Sequence, residues 1–259
     1  MSVKYILGVI LSLPFLPILY FQGQKIRSSI PKLPEAKDSK GCYNSKQANG
    51  ELQLLTVGES TVAGVGVSTH AEGLTGALAE ELSSRFHAQV SWSAYARSGY
   101  TIKQIRERLI PNISEDIVDL IVIGIGANDA FRLRSPSGWK NDLIDLITEL
   151  RSRFSGTPLV FINMPPVKDF PAFTPLMKFI IGNLLEILGE ELQTLANEYA
   201  DVFYLNEKIR LHDWRNRSVT AMKVEDFFSD GVHPSKLTYQ IWAKEIGRAI
   251  HEKKVLNKG

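Results

Sequence analysis

The segment LIVIGIGAND, residues 120–129, decides the fold class of this chain. Its first part, Leu120–Ile125, is built from Leu, Ile and Val and is interrupted only by Gly124. Such a run is typical of a strand that is buried on both faces within a parallel sheet. In open parallel sheets, ligands bind at the carboxyl ends of the strands. We therefore expect functional residues in the loop Gly126–Asp129 and in the loops that follow the neighbouring strands.

On both sides of this segment, short apolar runs alternate with longer stretches of helical periodicity. The pattern predicts further strands at Leu52–Val57, Gln89–Ala94, Leu159–Asn163 and Val202–Leu205, and helices at Leu74–Phe86, Thr101–Leu109, Trp139–Phe154, Leu176–Tyr199 and Pro234–His251. Strands and helices that alternate at these lengths predict an α/β fold, in which helices cover both faces of a parallel sheet.

The loop after the first predicted strand reads Gly58-Glu59-Ser60. A serine at a strand end, beside a glycine that permits a sharp turn, can present its hydroxyl group at the mouth of the sheet. Taken alone, this motif is weak, and a serine that merely caps a turn is the better interpretation.

A second loop, Asp230-Gly231-Val232-His233-Pro234, precedes the last predicted helix. Asp and His three residues apart on one turn can meet, so that the carboxylate fixes the imidazole tautomer and stabilises its charged form. Pro234 suits the first turn of the helix that follows. The alternative is a helix-capping loop with an incidental surface histidine.

Asn128 and Gly99 are candidate hydrogen-bond donors in two further loops. The Asn128 side chain can aim its NH₂ group into the crevice, although an Asx-turn is about equally consistent with the Asn-Asp pair. Gly99 lies in Arg97-Ser98-Gly99-Tyr100, after the second predicted strand. A glycine there lets a backbone N–H group approach a ligand, while an ordinary turn glycine is the simpler interpretation.

Together these residues supply the groups that acyl transfer requires. Ser60 is the candidate nucleophile, His233 the candidate base, and Asp230 the carboxylate that orients this base. The backbone N–H groups of Ser60 and Gly99 and the side-chain amide of Asn128 are the candidate oxyanion donors.

The stretch from about Leu52 to Ile250 resembles the SGNH/GDSL hydrolases, of the bacterial esterase and lysophospholipase type. The four sequence blocks of that family fall, in order, on Ser60, Gly99, Asn128 and His233, with Asp230 at the D-x-x-H position. The resemblance implies a three-layer α/β/α flavodoxin-like fold with a parallel sheet, preceded here by an apolar N-terminal helix. It also implies no metal or other cofactor, and hydrolysis of esters or thioesters through an acyl-enzyme on serine.

The first block departs from the family pattern. Glu59 stands where the family has aspartate in G-D-S, and Thr61 replaces the leucine that follows the serine. Because residue 59 is not the nucleophile, we expect the chemistry to survive. The substitution leaves open how the serine turn is supported.

The segment Tyr5–Phe21 has no charged side chain and, as a helix, nearly spans a bilayer core of roughly 30 Å. We expect an uncleaved signal-anchor or transmembrane segment at residues 1–25, a polar linker at 26–50 and the hydrolase domain at 51–255. A core helix of a soluble protein is the least favoured interpretation.

A cleaved signal peptide is the main alternative, and it would leave a secreted or periplasmic protein. Lys4 and the apolar length fit a signal peptide, but no small-x-small cleavage signal occurs near Gln22–Gln24. Because Lys4 competes with Lys25, Arg27 and Lys32 on the other side, the positive-inside rule gives no firm orientation. We expect the catalytic domain on the extracytoplasmic side of a membrane.

Composition excludes several other classes of protein. The chain has 30 basic and 28 acidic residues, and residues 1–25 hold two lysines and no acidic residue. The body is therefore formally neutral, which argues against a nucleic-acid partner. The single cysteine, Cys42, cannot form an internal disulfide, and no Cys/His spacing predicts a zinc site.

The sequence thus predicts a membrane-anchored serine esterase that acts on small-molecule or lipid esters, with short acyl or lysophospholipid-like substrates. Carbohydrate O-deacetylation or acyl transfer on the same fold is the alternative, and a catalytically silent binding protein is a third hypothesis. The apolar stretch Phe173–Leu188 can wall an acyl chain or face a membrane, but an ordinary helix packed on the sheet is the preferred interpretation.

Overall fold

The computed structural model describes residues 3–44, 48–209, 211–217 and 223–256 and shows a sheet in the order β1-β3-β2-β4-β5-β6. The strands are β1 (Lys40–Tyr43), β2 (Glu51–Gly58), β3 (Gln89–Ala96), β4 (Leu120–Gly124), β5 (Leu159–Phe161) and β6 (Val202–Tyr204). Strand β1 runs antiparallel to β3, and the other neighbouring strands are parallel. The predicted parallel sheet is confirmed, with one antiparallel strand added at an edge.

The helices account for most of the remaining described residues. They are α1 (Val3–Ser12), α2 (Leu16–Ser29), α3 (Leu74–Phe86), α4 (Ile102–Arg108), α5 (Ala127–Phe131), α6 (Pro136–Arg153), α7 (Pro175–Ala196), α8 (Leu211–Arg217) and α9 (Lys236–Glu252). Every strand and helix predicted for the body occurs, with ends shifted by at most three residues. The short helices α5 and α8 lie in stretches for which no helix was predicted.

The sheet separates two hydrophobic cores, because successive residues of a strand point to opposite faces. On β4, Ile121 and Ile123 pack in the core that includes α4, α6 and α7, whereas Leu120 and Val122 pack in the core that includes α3 and α9. All four side chains are almost inaccessible to solvent. The α/β/α layering is therefore confirmed, and it explains why the sequence of β4 is apolar throughout.

Strand β1 lies within residues 26–50, the predicted polar linker, and pairs along its length with β3. Its Lys-Gly-Cys-Tyr sequence has no apolar alternation, because an edge strand with largely exposed side chains is held by its backbone hydrogen bonds. Gly41 permits this pairing, since a Cβ atom there would lie 2.3 Å from the Trp92 ring. The division into linker and hydrolase domain stays a prediction, but this part of the linker completes the sheet.

The predicted N-terminal apolar helix is present. It consists of α1 and α2 with a short 3₁₀ turn, Leu13–Phe15, between them, and Pro14 and Pro17 fall in the first turns of the 3₁₀ helix and of α2. The stretch Lys4–Ser29 is long and apolar enough to cross a membrane, a property that a signal sequence shares. Both α1 and α2 contact α7.

Candidate active site

Ser60 lies in the turn that follows β2, at the carboxyl end of the sheet. The Glu59 N–H group donates to the Gly124 carbonyl at 2.9 Å and extends the pairing of β2 with β4 by one residue. The Val65 N–H group then donates to the Ser60 carbonyl at 3.1 Å and closes the turn. Gly58 is required for this approach, because a Cβ atom there would lie 2.3 Å from the Gly124 oxygen.

Asp230 and His233 meet in the loop before α9. Asp230 Oδ2 lies 2.7 Å from His233 Nδ1, and Oδ1 accepts the backbone N–H groups of Val232 at 3.0 Å and His233 at 2.8 Å. The Asp230 side chain is fully buried, whereas the His233 side chain is 22% exposed. The carboxylate is therefore fixed from three directions, and it fixes the imidazole ring in turn.

The charge of Asp230 determines the tautomer of His233. Burial by itself raises the pKa of Asp230, but hydrogen bonds from the His233 side chain and backbone, with the imidazole charge and the Val232 N–H group, outweigh burial and lower that pKa. Asp230 is thus ionised at neutral pH and accepts a hydrogen bond from the Nδ1–H group of His233. This leaves Nε2 of His233 as the nitrogen that can accept a proton.

A single cavity of about 960 Å³ is lined by Ser60, Gly99, Asn128 and His233. Asp230 is not part of the cavity lining, but it is hydrogen-bonded to His233, which is. At Gly99 the backbone has φ +80°, and the position of a Cβ atom has no neighbour within 4 Å, so the backbone is open to a ligand there. The structure therefore brings together all five residues that the sequence singled out.

Glu59 accepts three hydrogen bonds that join the serine loop to the loop after β4. Its Oε1 accepts the Gly126 N–H group at 2.5 Å, and its Oε2 accepts the backbone N–H and the side-chain Nδ2 of Asn128 at 3.1 and 2.8 Å. Asn128 Nδ2 also donates to the Tyr100 carbonyl at 3.0 Å. The Asn128 amide is thus held by two protein acceptors. Sequence reasoning missed this role, because the partners of Glu59 lie 67 and 69 residues away.

Two buried carboxyl groups lie behind the serine and asparagine loops. Burial raises the pKa of Glu59 to about 8, the charge of Asp129 adds to this rise, and the N–H groups of Gly126 and Asn128 oppose it. Burial also raises the pKa of Asp129 to about 6, although Asp129 accepts the Ile102 N–H group at 3.0 Å. Each carboxyl group is therefore easier to protonate than usual.

Apolar side chains form much of the remaining cavity wall. They come from α2, α5, α7, α8 and adjacent loops and include Leu16, Leu19, Ile26, Phe131, Phe170, Phe173, Met177, Ile181 and Trp214. Within the stretch Phe173–Leu188, three side chains both line the cavity and belong to the core: Phe173, Met177 and Ile181. Leu185 and Leu188 pack in the core outside the cavity lining. The preferred interpretation, a helix packed on the sheet, therefore agrees with the structure, and an acyl-chain wall or a membrane-facing surface stays a prediction.

The other histidines that the structure describes lie outside the cavity lining. His70 is buried beside Trp92, and His251 packs against Phe86. Within the described ranges, no three His, Cys, Asp or Glu side chains are arranged to hold a metal ion.

The sequence matches one family model over most of the body. The model of the GDSL-like lipase/acylhydrolase family matches residues 56–241. No curated protein sequence matches the chain.

Solved structures share the fold at low sequence identity. A lipase/acylhydrolase from Enterococcus faecalis is 19% identical, with a TM-score of 0.52, over 78% of this chain and 96% of that chain. TesA is 18% identical, with a TM-score of 0.55, over 79% of this chain and 99% of that chain. Axe2, an acetylxylan esterase from Geobacillus stearothermophilus, is 15% identical, with a TM-score of 0.57, over 80% and 96%. These likenesses show the fold.

Proposed function

The chain belongs to the GDSL-like lipase/acylhydrolase family, as its sequence resemblance indicated, and on this premise we propose that it is a serine esterase. It hydrolyses carboxylic esters through an acyl-enzyme on Ser60. The observation that carries the proposal is the hydrogen-bonded pair of Asp230 and His233 on the cavity that Ser60 also lines. A nucleophile and an oriented base at one cavity are what acyl transfer needs first.

In the proposed reaction, Ser60 Oγ attacks the ester carbonyl carbon while His233 Nε2 accepts the hydroxyl proton. The tetrahedral intermediate collapses, the bond to the leaving oxygen breaks, and His233 returns the proton to the departing alcohol. Water then attacks the acyl-enzyme while His233 Nε2 accepts its proton. The bond to Ser60 Oγ breaks, His233 returns the proton to that oxygen, and the carboxylic acid is released. Asp230 stays ionised and stabilises the imidazolium form of His233.

The proposed oxyanion donors are the N–H groups of Ser60 and Gly99 and the Asn128 amide. Both N–H groups of Asn128 Nδ2 already donate to protein acceptors, one to Glu59 and one to the Tyr100 carbonyl. The oxyanion would therefore share one of these N–H groups with its protein acceptor. The two contacts hold the amide in place before the substrate arrives. Such preorganisation spares reorientation at the moment of reaction.

A fluorophosphonate probe tests the nucleophile. We expect the probe to label the wild type and Ser98→Ala equally, and to leave Ser60→Ala unlabelled. Ser98 is the matched control, because it is a second serine on the cavity wall. Equal labelling of wild type and Ser60→Ala, or no labelling of either, contradicts the mechanism.

The apolar wall of the cavity supports esters with a substantial acyl chain as substrates. O-acetylated carbohydrate is the second candidate, supported by the likeness to Axe2 in fold. A panel of p-nitrophenyl esters from acetyl to palmitoyl, run beside acetate release from acetylated xylo-oligosaccharides, separates the two. Acetate release without hydrolysis of longer esters favours the carbohydrate. Inactivity on both panels favours a silent binding protein.

We also propose that residues 1–25 attach the protein to a membrane, with the catalytic body on the extracytoplasmic side. The apolar stretch Lys4–Ser29 supports this attachment. The alternative, a cleaved signal peptide that leaves a secreted or periplasmic enzyme, predicts a new amino terminus after the apolar stretch. Amino-terminal sequencing of the protein from membrane and soluble fractions decides between them.

A further inference from the structure

The amino-terminal helical segment, α1 and α2, is bound along α7 by contacts from the start of α1 and from the middle of α2. Lys4 Nζ lies 3.0 Å from Glu190 Oε1, and Thr174 Oγ1 donates to Gln22 Oε1 at 2.6 Å. Thr174 precedes α7 and Glu190 lies in its second half, so the segment runs antiparallel along that helix. The segment therefore lies beside the catalytic body and does not lead away from it.

One face of the segment forms part of the catalytic cavity. Leu16, Leu19, Gly23 and Ile26 recur at helical spacing, and all of them line the cavity that contains Ser60. Leu19 is only 9% exposed. This inward face is therefore a wall of the site.

The opposite face of the segment is apolar and exposed. Its large side chains are 47–70% exposed and include Leu7, Ile10, Leu11, Leu13, Ile18 and Phe21. Soluble monomeric proteins rarely expose a contiguous apolar patch of this kind, and such patches mark sites of interaction with proteins or membranes.

The charges beside the outward face indicate which of these partners it fits. Lys25, Arg27 and Lys32 follow the apolar residues and are exposed, and the first acidic residue of the chain is Glu35. Lys25 lies outside the cavity lining, whereas Arg27 and Lys32 also border the cavity. An apolar helix face with a basic end fits a bilayer that contains anionic phospholipid. A second copy of this segment offers no acidic residue to these cations.

We propose that α1 and α2 lie in the plane of a bilayer surface, with the outward face in the lipid and the inward face as the wall of an acyl-chain site. The substrate is then a membrane-resident ester with a long acyl chain. The proposal rests on the ester hydrolysis proposed above, and it adds the class and the source of the substrate. An acyl chain that leaves the bilayer along α2 meets the apolar side chains Phe173, Met177 and Ile181.

This arrangement differs from a helix that crosses the membrane. The segment is fixed along α7, and α7 carries Lys178, Glu186 and Glu190. A crossing would bring these charged groups towards the hydrocarbon, which is costly. A helix in the interface leaves them on the aqueous side.

Two glycine substitutions in the full chain test the wall. Gly23 lines the cavity and Gly8 lies outside the lining, and a Cβ atom at either position has no neighbour within 4 Å. We expect Gly23→Phe to fill the space beside α2 and to lower kcat/KM for a palmitoyl ester, relative to a butyryl ester, by about tenfold, the effect of excluding two methylene groups. Gly8→Phe should leave the ratio unchanged.

Failure of this inference is distinct from failure of the proposed function. If Gly23→Phe, Gly8→Phe and wild type show the same ratio of palmitoyl to butyryl hydrolysis, α2 is not the wall, while the esterase activity stands. If the wild type hydrolyses neither ester, the proposed function itself is wrong.

Flotation with phosphatidylcholine–phosphatidylglycerol vesicles tests the bilayer face. We expect the double variant Leu11→Ser, Phe21→Ser to lose at least about tenfold in the vesicle-bound fraction, because it removes two large apolar side chains from the lipid, and to keep butyryl ester hydrolysis. Flotation equal to that of the wild type overturns the assignment. A wild type that forms dimers without lipid and does not float overturns it in favour of a second copy.

Cysteine labelling tests the orientation of the segment. In a Cys42→Ser background, Lys4→Cys and Lys32→Cys place a thiol at either end of the segment. When the protein is bound to sealed vesicles, a membrane-impermeant maleimide should label both thiols. Labelling of only one of them shows a crossing helix and overturns the in-plane arrangement.

Discussion

The Asp230 carboxylate determines which nitrogen of His233 is free to accept a proton. Asp230→Asn keeps the shape of the side chain, but its NH₂ group can face Nδ1 and so place the proton on Nε2. We expect kcat for a butyryl ester to fall by about three to four orders of magnitude. Steady-state kinetics measure this loss.

Asp226→Asn is the control for this prediction. Asp226 lies in the preceding 3₁₀ turn, where its carboxylate accepts the Lys223 N–H group at 2.7 Å. Because Asp226 has no part in the proposed chemistry, its variant should keep most of the activity. Equal rates for the two variants would show that Asp230 has only a structural role.

Asn128 supplies the one proposed oxyanion donor that a side-chain substitution can remove. Asn128→Ala removes the amide, and loss of one such donor costs about a hundredfold to a thousandfold in kcat. Asn163→Ala is the matched control, because Asn163 also lines the cavity but donates to the Glu207 carbonyl at 2.7 Å. A full kcat in Asn128→Ala contradicts the proposed oxyanion site.

Sequence reasoning could single out the candidate site residues but could not identify Glu59 as their support. Ser60, Asn128 and His233 each belong to a short local motif at a strand or helix end. The role of Glu59 depends on hydrogen bonds to a loop that comes 67 residues later, and on the burial of its carboxyl group between the two loops. Neither property has a local sequence pattern.

Strand β1 offers a prediction at the level of a single element. Gly41→Val places side-chain atoms where the Trp92 ring lies, because even a Cβ atom would be 2.3 Å from that ring. We expect the free energy of unfolding to fall by about 1–3 kcal/mol. Denaturant unfolding measures it.

Gly50→Ala is the control for strand β1, since a Cβ atom at residue 50 has no neighbour within 4 Å. Butyryl ester hydrolysis should persist in Gly41→Val, because β3 separates β1 from β2, the strand that leads to Ser60. A stability equal to that of the wild type would show that the Trp92 ring moves aside freely.

Elements could be predicted from sequence where burial imposes a pattern. Strand β4 and helix α3 are apolar where they face the cores, and both were predicted close to their observed ends. Strand β1 was not predicted, because its exposed side chains follow no pattern. The side of α1 and α2 that faces the body was not predictable either, since apolar residues occur on every side of that segment.

We expect the stability of the whole molecule to depend on pH through Glu59. The ordinary pKa of this carboxyl is 4.5 and its pKa in the folded protein is about 8, so at intermediate pH the folded state keeps a proton that the unfolded chain has lost. The contribution of Glu59 to the free energy of unfolding is fully present below the ordinary pKa and is lost as pH rises through about 8. We expect the Tm to fall as pH rises across this range.

Glu59→Gln should flatten this dependence of Tm on pH, and calorimetry across the range measures it. Asp129 should also lower the Tm as pH rises, because its pKa is raised to about 6. A slope of Tm against pH on the acidic side therefore persists in Glu59→Gln. Glu107→Gln, at an exposed position, is the control. A slope near pH 8 that is the same in all three proteins would show that another group is responsible.

The first residues of the chain depend on partners that are synthesised late. Lys4 and Glu190 are 186 residues apart, so the segment leaves the ribosome long before α7 exists. Domains form contacts during synthesis only as their parts emerge, and until then the apolar segment is uncovered. A nascent chain can therefore engage a bilayer before its catalytic cavity is complete. Under the proposed membrane attachment, we expect ester hydrolysis to begin only after the segment has reached the bilayer.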